Sequence, residues 1–251
     1  MAAVATLVFC APGYPGGAGD AQPFVDQFAK ATAASAGWNA GSLAAVYDPT
    51  EQGGLTKLSN SESVLALVPY AFFVQHGARL HLTPLAQAEV TGIGTEERWS
   101  LIGKAGGVAG PQAMAGYTIL SVAGYAPEFV RHSALEAWAL PPDVKIEATG
   151  QILSALRRVA AGEPVLALLD QTQAAALPTL PFAMQLKTLV QSPPLPVALI
   201  AVVDSRLPAP RAKAFQKALL KLSSAAGGAD TLGSLHLKGF ILPRLPGPNK
   251  P

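Results

Sequence analysis

Three tyrosines follow predicted strands, at positions where open α/β sheets usually bind ligands. Tyr14 comes after the first strand, Tyr70 after the third, and Tyr125 after the first strand of a second series. A tyrosine offers a flat apolar face and a hydroxyl group, so these rings could clamp a small ligand and hydrogen-bond to it. Each ring could equally pack against its own helix, and the sequence leaves both readings open.

Glycines and neutral polar residues surround the same strand-to-helix junctions. Helix starts there leave backbone N–H groups unpaired, which favours an anionic or polar ligand. Thr149 could instead serve only as a helix cap. The candidate ligand-binding residues are Tyr14, Pro15, Gly16, Tyr70, Gly124, Tyr125, Thr149, Gly150, Gln151, Asp170 and Gln171.

Motifs for cofactor or metal chemistry are missing from the sequence. The chain has no dinucleotide fingerprint, no P-loop and no nucleophile elbow, and its four histidines are scattered. We therefore expect no cofactor, no metal site and no catalytic residues. Cys10 could be a nucleophile at a strand end, but a buried apolar role suits a lone cysteine better.

Composition excludes several classes of protein. Half of the 251 residues are apolar and 14% are charged, which indicates a globular chain with a sizeable core. A net charge of +2 gives no nucleic-acid footprint, and no apolar run reaches the length of a membrane span. The first residues lack the charged region of a secretory signal, so we expect any signal peptide to be absent from this sequence.

The predicted elements alternate between strand and helix along most of the chain. This pattern favours mostly parallel sheets flanked by helices. We expect residues 1–110 and 195–251 to form lobe I, with residues 116–192 inserted as lobe II. Two crossings between such lobes predict a ligand cleft and a hinge.

Three segments resemble the phosphate/phosphonate-type periplasmic solute-binding proteins of ABC transporters. Ser63–His76 is similar to a strand, Pro-Tyr-Ala turn and helix of that family. Thr149–Asp170 is similar to its turn, helix, strand and Asp, and Ser192–Leu222 to its return strand and amphipathic helix. The motifs are loose, but they span most of residues 43–224.

The resemblance implies the type II periplasmic-binding fold, a small-molecule ligand between two α/β lobes, an ABC permease as partner and a periplasmic location. It places Tyr70, Thr149–Gln151 and Asp170–Gln171 at the ligand. Where phosphonate binders have a Ser-Thr-Ser-Gly run that grips the phosphonate oxygens, this chain has Val122–Pro127, without serine or threonine hydroxyls. We therefore expect a neutral, zwitterionic or weakly anionic ligand other than phosphate, bound by a monomer.

Two other functions stay open at this point. An enzyme of cofactor biosynthesis on the same fold would need an acid/base pair, for which Asp48, Glu51 and Asp170 are the candidates. A sensory ligand-binding module would keep the lobes without an importer.

Overall fold

The structure, a computed structural model, describes residues 4–13 and 16–246. Two predicted ligand residues, Tyr14 and Pro15, lie outside the described residues. The strands are β1 (Ala5–Cys10), β2 (Leu43–Asp48), β3 (Ser63–Pro69), β4 (Leu82–Val90), β5 (Glu96–Glu97), β6 (Ser100–Lys104), β7 (Thr118–Ser121), β8 (Lys145–Ala148), β9 (Val165–Leu169), β10 (Leu186–Gln191), β11 (Leu195–Pro196), β12 (Ala198–Val203) and β13 (Leu237–Ile241). The helices are α1 (Ala18–Ser35), α2 (Glu51–Leu58), α3 (Tyr70–His76), α4 (Pro127–Phe129), α5 (Ile152–Ala161), α6 (Gln171–Ala176), α7 (Ala209–Lys221) and α8 (Gly228–Gly233).

The chain divides into two units, each with its own sheet. Unit 1 holds the described residues up to Glu96 and those from Pro196 onward, and unit 2 holds Glu97–Leu195. At the two crossings, β5 and β11 pair as a two-stranded sheet. Residues 97–110, expected in lobe I, belong to unit 2, because β6 pairs with β9 and β10.

Unit 1 contains a six-stranded sheet in the order β13-β4-β12-β3-β1-β2. β1 pairs in parallel with β2 and β3, and β12 pairs antiparallel with both β3 and β4. As a result, β1 to β4 all run in one direction and end at the same edge. The core on one face of this sheet centres on Phe28. Its ring centroid lies 5.5 Å from that of Phe9 and 5.9 Å from that of Phe240.

Unit 2 contains a five-stranded sheet in the order β10-β6-β9-β7-β8. β7 pairs in parallel with β8 and β9, while β6 runs antiparallel to β9 and β10. All five residues of β9 are buried, as expected for a central strand covered on both faces. Helix α5 packs on this sheet through Leu156 and Val159 and ends at Gly162, whose φ of 86° terminates the helix.

Two helices depart from what their sequence suggests. The sequence pattern of residues 126–138 predicts one helix, but the structure has three short pieces, because the Leu135 amide bonds the Val130 carbonyl five residues back and forms a π-turn. Asp20 is an N-cap candidate by residue type, but it lies inside the first turn of α1, and Gly17 occupies the cap position. An acidic residue in the first turn still stabilises the helix through its dipole.

Gly54 allows α2 to approach β1 closely. A Cβ atom at this position would lie 2.0 Å from the Cys10 Sγ. We predict that Gly54→Ala lowers the free energy of unfolding by about 1–3 kcal/mol, because this overpacking outweighs the helix propensity gained. Urea unfolding measures it.

Gly19→Ala is the matched control for this prediction. It also lies in a helix, but its added Cβ would meet no atom within 4 Å. This variant should equal the wild type or gain up to about 1 kcal/mol. Equal stability of Gly54→Ala and Gly19→Ala would contradict the close approach of α2.

Candidate functional site

In unit 2, three parallel strands end at one edge of the sheet. The pairing aligns Ser121 at the end of β7 with Ala148 at the end of β8, and β9 runs parallel on the other side of β7. The turns after these strands therefore lie at the same edge. They contain Gly124, Tyr125, Thr149, Gly150, Gln151, Asp170 and Gln171, which are all the predicted ligand residues of this unit.

The turn after β7 packs tightly against β8. Gly124 is buried, and a Cβ atom there would lie 2.1 Å from the Glu147 carbonyl oxygen. Close backbone packing is thus sufficient to explain this glycine. Ser121 was not predicted, yet its buried hydroxyl accepts a hydrogen bond from the Ala123 amide at 3.1 Å. Tyr125 follows and is half-buried.

The turn after β8 is joined to β7 and leads into α5. The Thr149 amide donates to the Ser121 carbonyl at 2.8 Å, and the Thr149 Oγ1 accepts from the Gln151 amide at 3.0 Å. Gly150 and Gln151 are exposed. No side chain of the described residues caps α5, so its first-turn amides remain available for a polar ligand.

The turn after β9 is held by a capping box. Asp170 accepts from the Gln173 amide at 2.8 Å, and the Gln173 side chain accepts from the Asp170 amide at 3.2 Å. Asp170 therefore has a structural role at the start of α6. The neighbouring Gln171 Oε1 accepts from the Arg98 amide at 3.4 Å.

Antiparallel β6 brings further residues to this edge that the sequence analysis missed. Its amino end lies beside the carboxyl end of β9, which places Glu97, Arg98 and Trp99 there. The exposed Arg98 donates from Nη1 to the Ser192 carbonyl at 2.7 Å. The Trp99 amide donates to the Ser192 Oγ at 2.9 Å. Only the pairing direction of β6 identifies these residues, since nothing in their sequence marks a site.

Glu97 is a buried carboxyl group, 4% exposed. Burial and, to a smaller extent, the nearby charge of Asp170 raise its pKa to about 8, against hydrogen bonds from the Gln171 amide and the Trp99 side chain, which lower it. Burial likewise raises the pKa of Asp170. Two acidic groups at this edge disfavour a doubly charged anion unless they bind protons.

Unit 1 contributes Gly16 and Tyr70 from the predicted set. Gly16 is exposed before α1, with a φ of 129° that side chains rarely adopt. Tyr70 begins α3 directly after β3 and is only 8% exposed. Its ring stacks 6.2 Å from that of Phe73, and burial raises the pKa of its hydroxyl. Packing within unit 1 therefore explains why the Tyr70 side chain is buried.

The candidates for nucleophilic and acid/base chemistry in unit 1 are buried or paired with other side chains. Burial raises the pKa of the Cys10 thiol to about 12, so it is not a ready thiolate. Asp48 bonds Thr50 and Lys57. Glu51 pairs with His76, with Oε1 and Nε2 2.7 Å apart.

Two features are absent from the described residues, a metal-binding cluster and a membrane-spanning helix. Residues 4–13 and 16–246 contain no group of three or more His, Cys, Asp or Glu side chains that could hold a metal ion. Within the same residues, no helix combines the length and hydropathy needed to cross a membrane.

Known proteins share this architecture and part of this sequence pattern. A family model, described as the periplasmic substrate-binding protein of a phosphonate ABC transporter, matches residues 101–244. Among curated proteins, none is similar enough in sequence to match this chain. The matched segment covers the three strand-end turns of unit 2 and most of the return into unit 1, and it begins after Arg98.

Several solved structures are similar in fold. A Xanthomonas citri protein bound to ATP has a TM-score of 0.69 and 14% identity, over 98% of this chain and 92% of that one. A binding protein component of an ABC phosphonate transporter from Pseudomonas aeruginosa has a TM-score of 0.62 and 15% identity, over 95% and 82%. PhnD1 from Prochlorococcus marinus, in complex with methylphosphonate, has a TM-score of 0.56 and 13% identity, over 96% and 93%. The predicted type II periplasmic-binding fold is confirmed.

Glu97 makes stability depend on pH. Folding raises its pKa from an ordinary 4.5 to about 8, so the folded state binds this proton more tightly and stability falls as pH rises through that window. We predict that Glu97→Gln flattens this decline by at least about 1 kcal/mol between about pH 5 and about pH 8. Urea unfolding at both values measures the difference.

Glu147→Gln serves as the control, since Glu147 is an exposed acid on β8 of the same unit. It should keep the wild-type pH dependence. If Glu97→Gln and the wild type changed in parallel with pH, the folded protein would not hold this proton.

Proposed function

Because the chain belongs to the family of periplasmic substrate-binding proteins of phosphonate ABC transporters, we propose that it captures a small organic solute and delivers it to an ABC permease. The family resemblance drawn from the sequence is confirmed. A periplasmic location and a monomeric state accompany this proposal. The observation that carries it is the convergence of three strand-end turns and Arg98 at one edge of unit 2.

We propose that the predicted ligand residues divide into those that contact the solute and those that shape the edge. Thr149, Gly150, Gln151 and the first-turn amides of α5 supply uncharged donors. Arg98 supplies an exposed cation that the sequence analysis did not foresee. Gly124 and Asp170 have sufficient structural explanations, so we assign them to shaping the edge rather than to contacting the solute.

We propose a zwitterionic or singly charged anionic solute, not inorganic phosphate. One cation, Arg98, stands beside two buried acids, Glu97 and Asp170. The Asp170 carboxylate would repel a dianion, Glu97 would add to this repulsion only above its pKa of about 8, and the Ser121 hydroxyl is already engaged by the Ala123 amide. The similar proteins bind different ligands, ATP and methylphosphonate, so the fold alone does not select the solute.

An enzymatic function has less support. The carboxyl with the most raised pKa, Glu97, is buried and accepts hydrogen bonds within its own unit. Asp48 and Glu51 are paired with Lys57 and His76. A general acid or base must reach its substrate directly or through one water, and none of these groups is placed to do so.

We predict that Arg98→Gln weakens binding of a singly charged organic anion by about tenfold or more, because a charge-assisted hydrogen bond is lost. Titration calorimetry measures it, with compounds first selected by thermal shift from amino acids, sulfonates, phosphonates and carboxylates. Inorganic phosphate should show no binding at micromolar concentrations.

Lys145→Gln is the control, because Lys145 is an exposed cation at the amino end of β8, opposite the proposed site. It should leave affinity unchanged. Micromolar phosphate binding would contradict the proposed ligand charge, and equal effects of the two variants would remove Arg98 from the site.

A further inference from the structure

An apolar cavity of about 570 Å³ opens within unit 1, at the edge where β1 to β4 end. Its walls come from the strand ends, from the start of α1 and from the loops that precede β5 and β13. The apolar side chains that line it include Phe9, Phe24, Leu67, Ile93, Val197 and Leu235.

The topology of the sheet creates this space. β12 begins and β4 ends at the same edge, so Ala198 and Val90 both line the cavity together with the ends of β1 and β3. Opposite them, Gly16 leads the chain into α1 without placing a side chain in the opening. The cavity is thus a consequence of main-chain geometry and lies where α/β proteins bind ligands.

Phe24 is unusual among the residues of α1. Its neighbours Val25 and Phe28 are buried in the core, whereas Phe24 is 44% exposed and lines the cavity. An exposed aromatic ring gains free energy when a ligand removes it from water. This ring is therefore available for an apolar partner.

The polar groups of the cavity are sparse. Apart from the buried Cys10 and the half-buried Tyr47, the titratable residues of its described lining are Asp20 and His236, and this lining contains no Lys or Arg. The carboxylate of Asp20 would repel an anionic group. The cavity is consequently suited to the uncharged part of a ligand, and its volume lies within the usual range for small-molecule sites.

We infer that this cavity seats an aryl or branched-alkyl group of the transported solute, which makes the solute an amphipathic organic molecule. The inference rests on the proposed function and adds the solute's chemical class to it. A short polar solute such as methylphosphonate or glycine would leave Phe24 and the walls in contact with water. A phenyl-bearing analogue would bury them.

The first experiment tests the cavity without assuming a solute. Anilinonaphthalene sulfonate, a fluorescent probe with a fused aromatic ring, should bind the folded protein saturably with one site. Phe24→Asp should weaken this binding by about tenfold, since it places a charge on the apolar wall. Val4→Asp is the matched control, because Val4 is also 44% exposed but precedes the opposite end of β1.

The second experiment tests the solute class by calorimetry with two matched pairs, glycine against phenylalanine and methylphosphonate against phenylphosphonate. In a pair that binds, the phenyl compound should bind about tenfold more tightly, and Phe24→Asp should abolish the preference. Phe24→Asp and Val4→Asp should both keep the wild-type melting temperature within a few degrees.

The outcomes separate this inference from the proposed function. Probe binding that is absent, or that is unchanged in Phe24→Asp, overturns the cavity assignment. Equal affinity within a binding pair overturns the solute class. If the probe binds as expected while neither phenyl compound binds, the inferred solute class is overturned, whereas the proposed function is tested separately by the Arg98→Gln titration. If sedimentation shows a dimer and this dimer does not bind the probe, a second copy of the chain occupies the cavity, and the inference is overturned.

Discussion

The parallel pairing of β7 with β8 and β9 is the constraint on which the candidate site depends. It brings the ends of three strands, far apart in sequence, to one edge of unit 2. The hydrogen bond from the Thr149 amide to the Ser121 carbonyl then fixes one turn against the next. Because Gly124 has no side chain, the β7 turn can lie directly on the backbone of β8. The exposed donors are positioned by main-chain packing rather than by their own contacts.

The return of the chain into unit 1 depends on buried polar contacts. The Gln87 amide group is fully buried, donating to the Thr95 carbonyl at 2.7 Å and accepting from the Arg244 amide at 3.0 Å. The same Thr95 carbonyl accepts from the Val197 amide at 3.2 Å. One side chain therefore ties the first crossing segment to the C-terminal segment, and leaving a partner unpaired would cost about 1–3 kcal/mol. Unit 1 is built from both ends of the chain, and these bonds join them.

The candidate site of unit 2 is charged, whereas the cavity of unit 1 is mostly apolar. The unit 2 edge combines Arg98 with the buried acids Glu97 and Asp170, while the unit 1 edge offers an apolar cavity with Asp20 and His236. Charge balance at the first edge limits how negative a solute can be, and the apolar walls of the second favour a hydrocarbon group. These two properties underlie the proposal of an organic solute that is less charged than phosphate.

The resemblance of three segments identified the family, and periodicity and turn residues predicted most strands and the helices α5 and α7. These features are local, because strand and helix patterns are carried by neighbouring residues. Pairing direction is not local: the antiparallel placement of β6 moved residues 97–110 into unit 2 and brought Arg98 and Glu97 to the edge. The burial of Tyr70 and the cavity beside Phe24 were likewise decided only by tertiary packing, because a residue's exposure depends on which distant segments cover it.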